Sequence, residues 1–397
     1  MLKRCILIIL IGMIAFSSVR ALAIEYKGDL EATESLTLPE QTSVPTNPSL
    51  GKQKLYFKED GAAYSLDSSG NENPIDRAGL KNYLINGNFD LWQRGTSFTA
   101  MNTYGADRWK HGSPGTATVT RQAFALGQID VPGEPRYFWR NQTTGAGAAT
   151  ATLIRQRIEG VRTLAGQTVT WSFWARNDTV KSFQVMVLQS FGTGGTPSGN
   201  VTVLNQSQSI GTDWTQYIYT VGVPAITGKT VGTDNNDYIE FLIQETSSFS
   251  TFILDTAQWQ VEKGSVASAF EQRPMGLELI LAQRYFEKSF PLNTAPAEGQ
   301  NNPPYISVMT ITSTSRRGWI SFVTRKRTIP IMTYYRAAGM SSNGDWNVRE
   351  GVSAWTERTP STNIANENGV VVQVIAVGAT AGQGMAAQGH WAADAEL

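Results

Sequence analysis

Ten residues near the middle of the chain, QTVTWSFWAR (Gln167–Arg176), alternate strictly between two kinds of side chain. Val169, Trp171, Phe173 and Ala175 fall on one face, and Thr170, Ser172, Trp174 and Arg176 on the other. A period of two is what an extended strand with one buried face demands. The pattern recurs. DWTQYIYTVGVP sets Tyr217, Tyr219, Val221 and Val223 together, and DYIEFLIQE sets Ile239, Phe241 and Ile243 against Tyr238, Glu240 and Gln244. FILDTAQWQVEKG sets Ile253, Asp255, Ala257, Trp259 and Val261 on one side. Gly-rich turns separate these runs from Tyr83 to Arg273, with no convincing helix among them. Short strands in that density need two sheets packed face to face, so the expected body is an all-β, jelly-roll β-sandwich.

The period changes once. In GLELILAQRYFEKSF (Gly276–Phe290), Leu277, Ile280, Leu281 and Tyr285 recur at helical spacing, which predicts a helix of about three turns after Pro274. Beyond it strands resume: YISVMTITSTS, RGWISFVTRKRTIP, GVVVQVIAVGAT and GHWAADAEL. At the other end, KLYFKEDGAAYSLDSSG places two short alternating runs around Asp60-Gly61, the signature of a small hairpin. The expected organisation is a signal peptide over 1-23, a linker over 24-52 and a hairpin with its connector over 53-82. The sandwich follows over 83-275, and a C-terminal helix plus a smaller β domain over 276-397.

The signal peptide rests on Lys3 and Arg4 before an apolar run from Cys5 to Phe16, with the small-x-small ending RALA at Arg20–Ala23. The run is too short for a bilayer span, which needs about 20 apolar residues, so no membrane insertion is expected after cleavage. Cleavage removes the single cysteine, and with it any disulfide or thiolate metal site. Lys plus Arg and Asp plus Glu both number 33, so no global field recruits nucleic acid. Charged residues make up only 17% of the chain, leaving a surface of neutral polar groups.

Several stretches resemble phage and prophage tail-fibre-like proteins that carry a carbohydrate-binding-module-like sandwich. They are LINGNFDLWQRGTSF (Leu84–Phe98), ADRW (Ala106–Trp109), IRQRIEGVRTLAGQTVTWSFWAR, QSFGTGG, VPAITGKTVG, VEKGSVASAFEQRP, ELILAQRYFEKSF and the closing WAADAEL. The resemblance implies a secreted, cell-surface or virion-tail protein that recognises envelope glycans as a homo-oligomer, a trimer. It also implies a structural Ca²⁺ between an acidic residue near the start of the sandwich and an Asp in its last strand, here Asp90 and Asp255. Hard oxygen ligands suit that ion. Two departures are visible: Ala282 stands where such proteins often have Cys, and an export signal points to a secreted carrier.

Candidate binding residues follow from the polar face of Gln167–Arg176. A sugar ring stacks its C–H face on an indole while its hydroxyls need fixed donors and acceptors. Trp174 with Arg176 meets that need, joined by Gln216 and Glu240 if their strands are neighbours. The competing reading covers Trp174 with the linker, the second domain or another subunit. Trp92 and Trp109 read as packing residues, in line with most sandwich tryptophans. The basic run SRRGWISFVTRKRT (Ser315–Thr328) reads as a charged hairpin or edge, or as a surface for anionic polysaccharide. His111 and His390 have no metal-ligand neighbour at helical spacing, and no stretch supplies paired carboxylates for glycoside hydrolysis. The expected function is non-catalytic glycan binding. The alternatives are a fibre component that binds only protein chains and a polysaccharide-degrading enzyme.

Overall fold

The computed structural model describes residues 40–58, 63–70, 72–74, 80–113, 115–145, 151–245, 251–312, 314–350, 354–375 and 384–397. The expected signal peptide and the turn at Asp60-Gly61 lie outside the described residues. Two compact units form, Met1–Asp76 and Arg77–Leu397.

The first unit is a four-stranded sheet of β1 (Glu40–Gln41), β2 (Lys54–Lys58), β3 (Ala63–Leu66) and β4 (Glu72–Pro74), in that order. β2 and β3 are the expected hairpin, with Tyr56 opposite Tyr64 and their rings 5.9 Å apart. Two strands alone are marginal in water. Glu40–Gln41, from the expected linker, adds a parallel strand on one side, and β4 adds an antiparallel one on the other.

The second unit begins with a jelly-roll sandwich. Its strands are β5 (Ser97–Phe98), β6 (Thr103–Tyr104), β7 (Lys110–His111), β8 (Ala117–Ala123), β9 (Tyr137–Thr143) and β10 (Ala151–Glu159). They continue with β11 (Thr168–Asn177), β12 (Lys181–Ser190), β13 (Val201–Ile210), β14 (Thr215–Gly222), β15 (Tyr238–Glu245) and β16 (Phe252–Lys263). One sheet runs β13-β12-β15-β10-β7-β6 and the other β14-β11-β16-β9-β8-β5. The alternation in β11 is obeyed: Val169, Trp171, Phe173 and Ala175 are buried in the core between the sheets. Trp171 and Phe173 both pack on Trp259, at 5.3 and 4.8 Å between ring centroids.

The period-two reading fails in β16. A register shift opposite Ser172–Trp174 and a left-handed Gln258 (φ 49°) make a bulge there. The extra residue resets the alternation. Trp259 and Val261 point into the core, whereas Asp255 and Ala257 share the outer face with Trp174 and Arg176.

LINGNFDLWQRGTSF is a set of turns up to β5, with Asn86 and Phe89 at positive φ (58° and 55°). Asn86 holds the turns together. Its side-chain amide donates to the carbonyls of Leu91 (2.8 Å) and Asp107 (3.1 Å), and its Oδ1 accepts from the Leu91 N–H (2.9 Å). Gly87 lies against the β16 bulge, where an added Cβ would stand 2.1 Å from the Trp259 carbonyl oxygen. Trp92 is buried, donates to the Phe89 carbonyl (2.7 Å) and stacks on Trp139 at 5.3 Å.

Helix α1 (Met275–Gln283) follows Pro274 and is shorter than the periodicity predicts. The chain leaves it because β17 (Phe286–Lys288) pairs with a strand near the C-terminus. The remaining strands are β18 (Tyr305–Thr312), β19 (Ser315–Ser321), β20 (Ile331–Tyr335), β21 (Trp346–Glu350) and β22 (Thr356–Arg358). After these come β23 (Pro360–Asn366), β24 (Gly369–Ile375), β25 (Gly384–Gln388) and β26 (His390–Asp394). They form a three-stranded sheet, β17-β26-β20, and a seven-stranded one, β22-β21-β25-β18-β19-β24-β23, around a second core that includes Trp346, Val348, Val372 and Trp391. The basic run is dispersed. Arg316 and Lys326 are buried, Lys326 is paired with Glu287, and Arg327 donates to the Ala395 and Glu396 carbonyls.

Candidate functional site

The outer face of the β14-β11-β16-β9-β8-β5 sheet carries the candidate site. Trp174 sits on β11 opposite Gln216 of β14 and Ala257 of β16. Its neighbours on one side are therefore set by register and on the other by the bulge at Gln258. The indole is half-buried and lies in a cleft of about 270 Å³. Ser172, Trp174, Gln216 and Gln258 line it from the strands, Pro132–Gly133 from the β8–β9 loop, and Ala267–Phe270 with Gln272 from the segment after β16.

The lining is neutral, without a carboxylate, ammonium or guanidinium. It offers amides and hydroxyls beside two aromatic rings, Trp174 and Phe270. Gln258 donates to the Pro132 carbonyl (2.7 Å) and Gln272 Oε1 accepts from Asn88 (3.2 Å). These bonds fix the orientation of each amide, and Gln272 is held further by a side-chain hydrogen bond to Asp90. An apolar platform with a few oriented amides is what a hydroxyl-rich, uncharged ring needs.

Of the four residues expected at a ligand, the structure brings Trp174 and Gln216 together. Arg176 stands two residues along β11, about 7 Å away along a strand. Its Nε donates to Asp255 Oδ2 (3.0 Å) and its guanidinium lies 5.1 Å from the Trp214 ring centroid. Glu240 is a correction. β15 belongs to the opposite sheet, between β12 and β10, where Glu240 is buried against Arg157 (2.8 Å) and Arg155 (3.5 Å). Which strands neighbour one another is a tertiary fact that strand periodicity does not encode. Phe270 was missed altogether. It lies in ASAFEQRP, a stretch with no alternation, and only the crossing of that segment over β11 and β14 brings its ring to the cleft.

The structure does not bring Asp90 and Asp255 together as a ligand pair. Asp255 is buried and bridges β9, β16 and β11 as the central acid of an arginine pair. Arg140 Nε and Nη2 donate to its two oxygens (2.7 and 2.8 Å), and Arg176 adds a third bond. A divalent cation would have to displace two guanidinium groups. Asp90 lies in a separate small cleft with Asn88, Gln272 and Glu278, where burial pushes its carboxyl up and the Asn88 amide (3.1 Å) pulls it back. Chelation with EDTA is therefore expected to leave the thermal midpoint of the protein unchanged, as read by tryptophan fluorescence. A fall of several degrees would show that a cation is held after all.

No family model matches the chain, and no curated protein matches it. Solved structures do. A family 11 carbohydrate-binding module of a cellulosomal cellulase of Clostridium thermocellum is 8% identical, covers 44% of this chain and 99% of that one, and gives a TM-score of 0.28. The N-terminal cellulose-binding domain of Cellulomonas fimi β-1,4-glucanase C is 15% identical over 43% of this chain and 99% of that one, with a TM-score of 0.23. The enzymatically active domain of tailspike protein 4 of bacteriophage CBA120 is 16% identical over 46% of this chain and 21% of that one, with a TM-score of 0.29.

Proposed function

We infer that this protein binds a glycan without cleaving it, and that the Trp174 cleft is where a sugar ring sits. The observation that carries the reading is the half-buried indole beside Gln216 and the oriented amides of Gln258 and Gln272 in a neutral cleft. At about 270 Å³ the cleft is at the small end of ligand sites and has room for one ring of a longer chain. Its neutrality favours an uncharged sugar unit over a uronic acid or a sulfated one. Binding without hydrolysis is supported by the lining, which holds no pair of carboxylates to protonate a leaving group and activate water. The tail-fibre-like segments and the expected export signal fit a molecule displayed where envelope glycans are met, on a secreted protein or on a virion.

A glycan array probed with the full chain tests this. We expect a hit among neutral oligosaccharides, and Trp174→Ala is expected to weaken it at least about 10-fold, because covering half an indole is worth on the order of 1.5–3 kcal/mol. The thermal midpoint should hold, since Trp174 lies outside the core. Retained affinity in Trp174→Ala would remove the cleft from the account, and reducing-end release from the hit would replace binding with hydrolysis.

A further inference from the structure

The other sheet of the sandwich gathers positive charge on its outer face. Ile154 and Ile158 of β10 point into the core, so Arg155 and Arg157 point out, about 7 Å apart along the strand. Both turn the same edge toward Glu240 of β15: Arg157 Nε lies 2.8 Å and Arg155 Nε 3.5 Å from its Oε1. On the opposite side of β10, β7 sets Lys110 across from Arg155. Three cations therefore meet one carboxylate, a surplus of two positive charges. The other acids of β10 and β15 are matched already, Glu159 with Arg284 (2.7 Å) and Glu245 with Lys181 (3.2 Å). Glu396, whose charge also reaches Lys110, is held by Arg94 and Arg108.

A guanidinium held by its Nε keeps its Nη1–Nη2 edge, two parallel N–H donors, for an oxyanion. Among the described residues no hydrogen bond reaches that edge of either arginine or the Lys110 ammonium. The two arginine side chains are 21% and 23% exposed, open to a ligand yet short of full hydration. Arg157 is steadied further by the Tyr238 ring at 4.1 Å. Burial, then Arg155 and Arg157, push the Lys110 ammonium below its ordinary value, as expected of like charges held together.

Two guanidinium edges and an ammonium match a dianion with three terminal oxygens. A phosphate monoester is such a group, with roughly 1.5–2 negative charges at neutral pH; a lone carboxylate would leave a cation unmatched. Past the cations the face turns neutral. Gln244 of β15 pairs with Gln184 of β12, amides that suit sugar hydroxyls.

We propose that a sugar phosphate binds here, its phosphate oxygens taken by the Nη edges of Arg155 and Arg157 and by Lys110, and its hydroxyls by Gln184 and Gln244. The site is independent of the Trp174 cleft, which lies on the other sheet.

Isothermal titration of the full chain with glucose 6-phosphate, at constant ionic strength, tests the proposal. The expected dissociation constant is about 1 mM or lower, with inorganic phosphate at least about 3-fold weaker and glucose giving no heat. Lys110→Gln leaves both arginines on Glu240 and is expected to weaken binding at least about 10-fold with an unchanged thermal midpoint. Arg155→Gln, which leaves Arg157 on Glu240, is expected to do the same and decides the matter if the first variant folds poorly. Trp174→Ala should leave the phosphate affinity as it is, so this site and the glycan cleft fail separately. No heat from millimolar glucose 6-phosphate, inorganic phosphate binding as tightly as the ester, or an affinity that survives both charge variants would overturn the proposal.

Discussion

Replacing Glu396 with alanine is expected to cost this protein about 3–5 kcal/mol of folding stability, the loss that follows when one partner of a buried ion pair is removed. Glu396 sits almost at the end of the chain, a place where substitutions are usually harmless. Here its carboxylate holds two cations of the sandwich, one buried and one mostly buried: Arg108 Nη1 donates to one oxygen and Arg94 Nη2 (3.2 Å) to the other. Arg108 is enclosed further by the Tyr285 ring at 3.4 Å and donates to the Arg157 carbonyl (2.7 Å). The backbone around Glu396 is tied down as well. Arg327 donates to the carbonyls of Ala395 (3.0 Å) and Glu396 (2.9 Å), and the Tyr104 hydroxyl to that of Leu397 (2.7 Å). Without Glu396, Arg108 and part of Arg94 would remain as uncompensated charge in a dry site. Glu396→Gln keeps the shape and should cost nearly as much. Urea unfolding followed by the sandwich tryptophans reads the effect, and a loss below about 1 kcal/mol, the scale of an exposed pair, would show that the arginines find other partners or water.

A second large effect concerns pH. Two buried groups beside the same turns titrate with opposite sign. Burial pushes the Asp107 carboxyl up to about 6, although Arg94 at 3.5 Å pulls it back. Burial pushes the His111 imidazole down to about 4, between the rings of Phe98 and Trp139. Unfolded references are near 4 for Asp and 6.5 for His. Between pH 4 and 6 the folded protein holds the Asp107 proton more tightly than the unfolded chain, so that contribution is present below pH 4 and lost as pH rises through 6. For His111 the folded protein holds the proton less tightly; the contribution is present above pH 6.5 and lost as pH falls through 4. Each is worth about 3 kcal/mol across the window, and in the wild type they largely cancel. Relative to wild type, Asp107→Asn should make stability climb with pH from 4 to 6.5, and His111→Gln should make it fall. Denaturation at several pH values checks the two slopes; equal slopes in both variants would contradict the assignment.

Much of the sandwich could be read from side-chain alternation, because a strand with one buried face writes its geometry into consecutive residues. Trp171 and Phe173 in β11, Tyr219 and Val221 in β14, and Phe241 in β15 all point where that pattern places them. The same rule misassigned Asp255 and Ala257. A single left-handed residue at Gln258 inserts the bulge, and nothing in the types of AQWQ announces it. Trp174 and Gln216 were legible as a pair because consecutive outward residues on two strands happen to be neighbours in the sheet. Glu240 was misplaced for the converse reason, since β15 pairs with β10 and β12. Phe270 and the arginines Arg94 and Arg108 escape any local rule. Their surroundings come from segments about 50 to 300 positions away, the strands beneath Phe270 and the C-terminal carboxylates that hold the two cations.

The central claim, that a neutral sugar ring lies on the Trp174 indole, is tested most directly by a crystal structure of the protein with an oligosaccharide selected on the array. The account predicts a pyranose ring in van der Waals contact with the Trp174 face, its hydroxyls bonded to Gln216 and to the amide of Gln258. A glycan seated elsewhere, with the Trp174 cleft filled only by water, would contradict it.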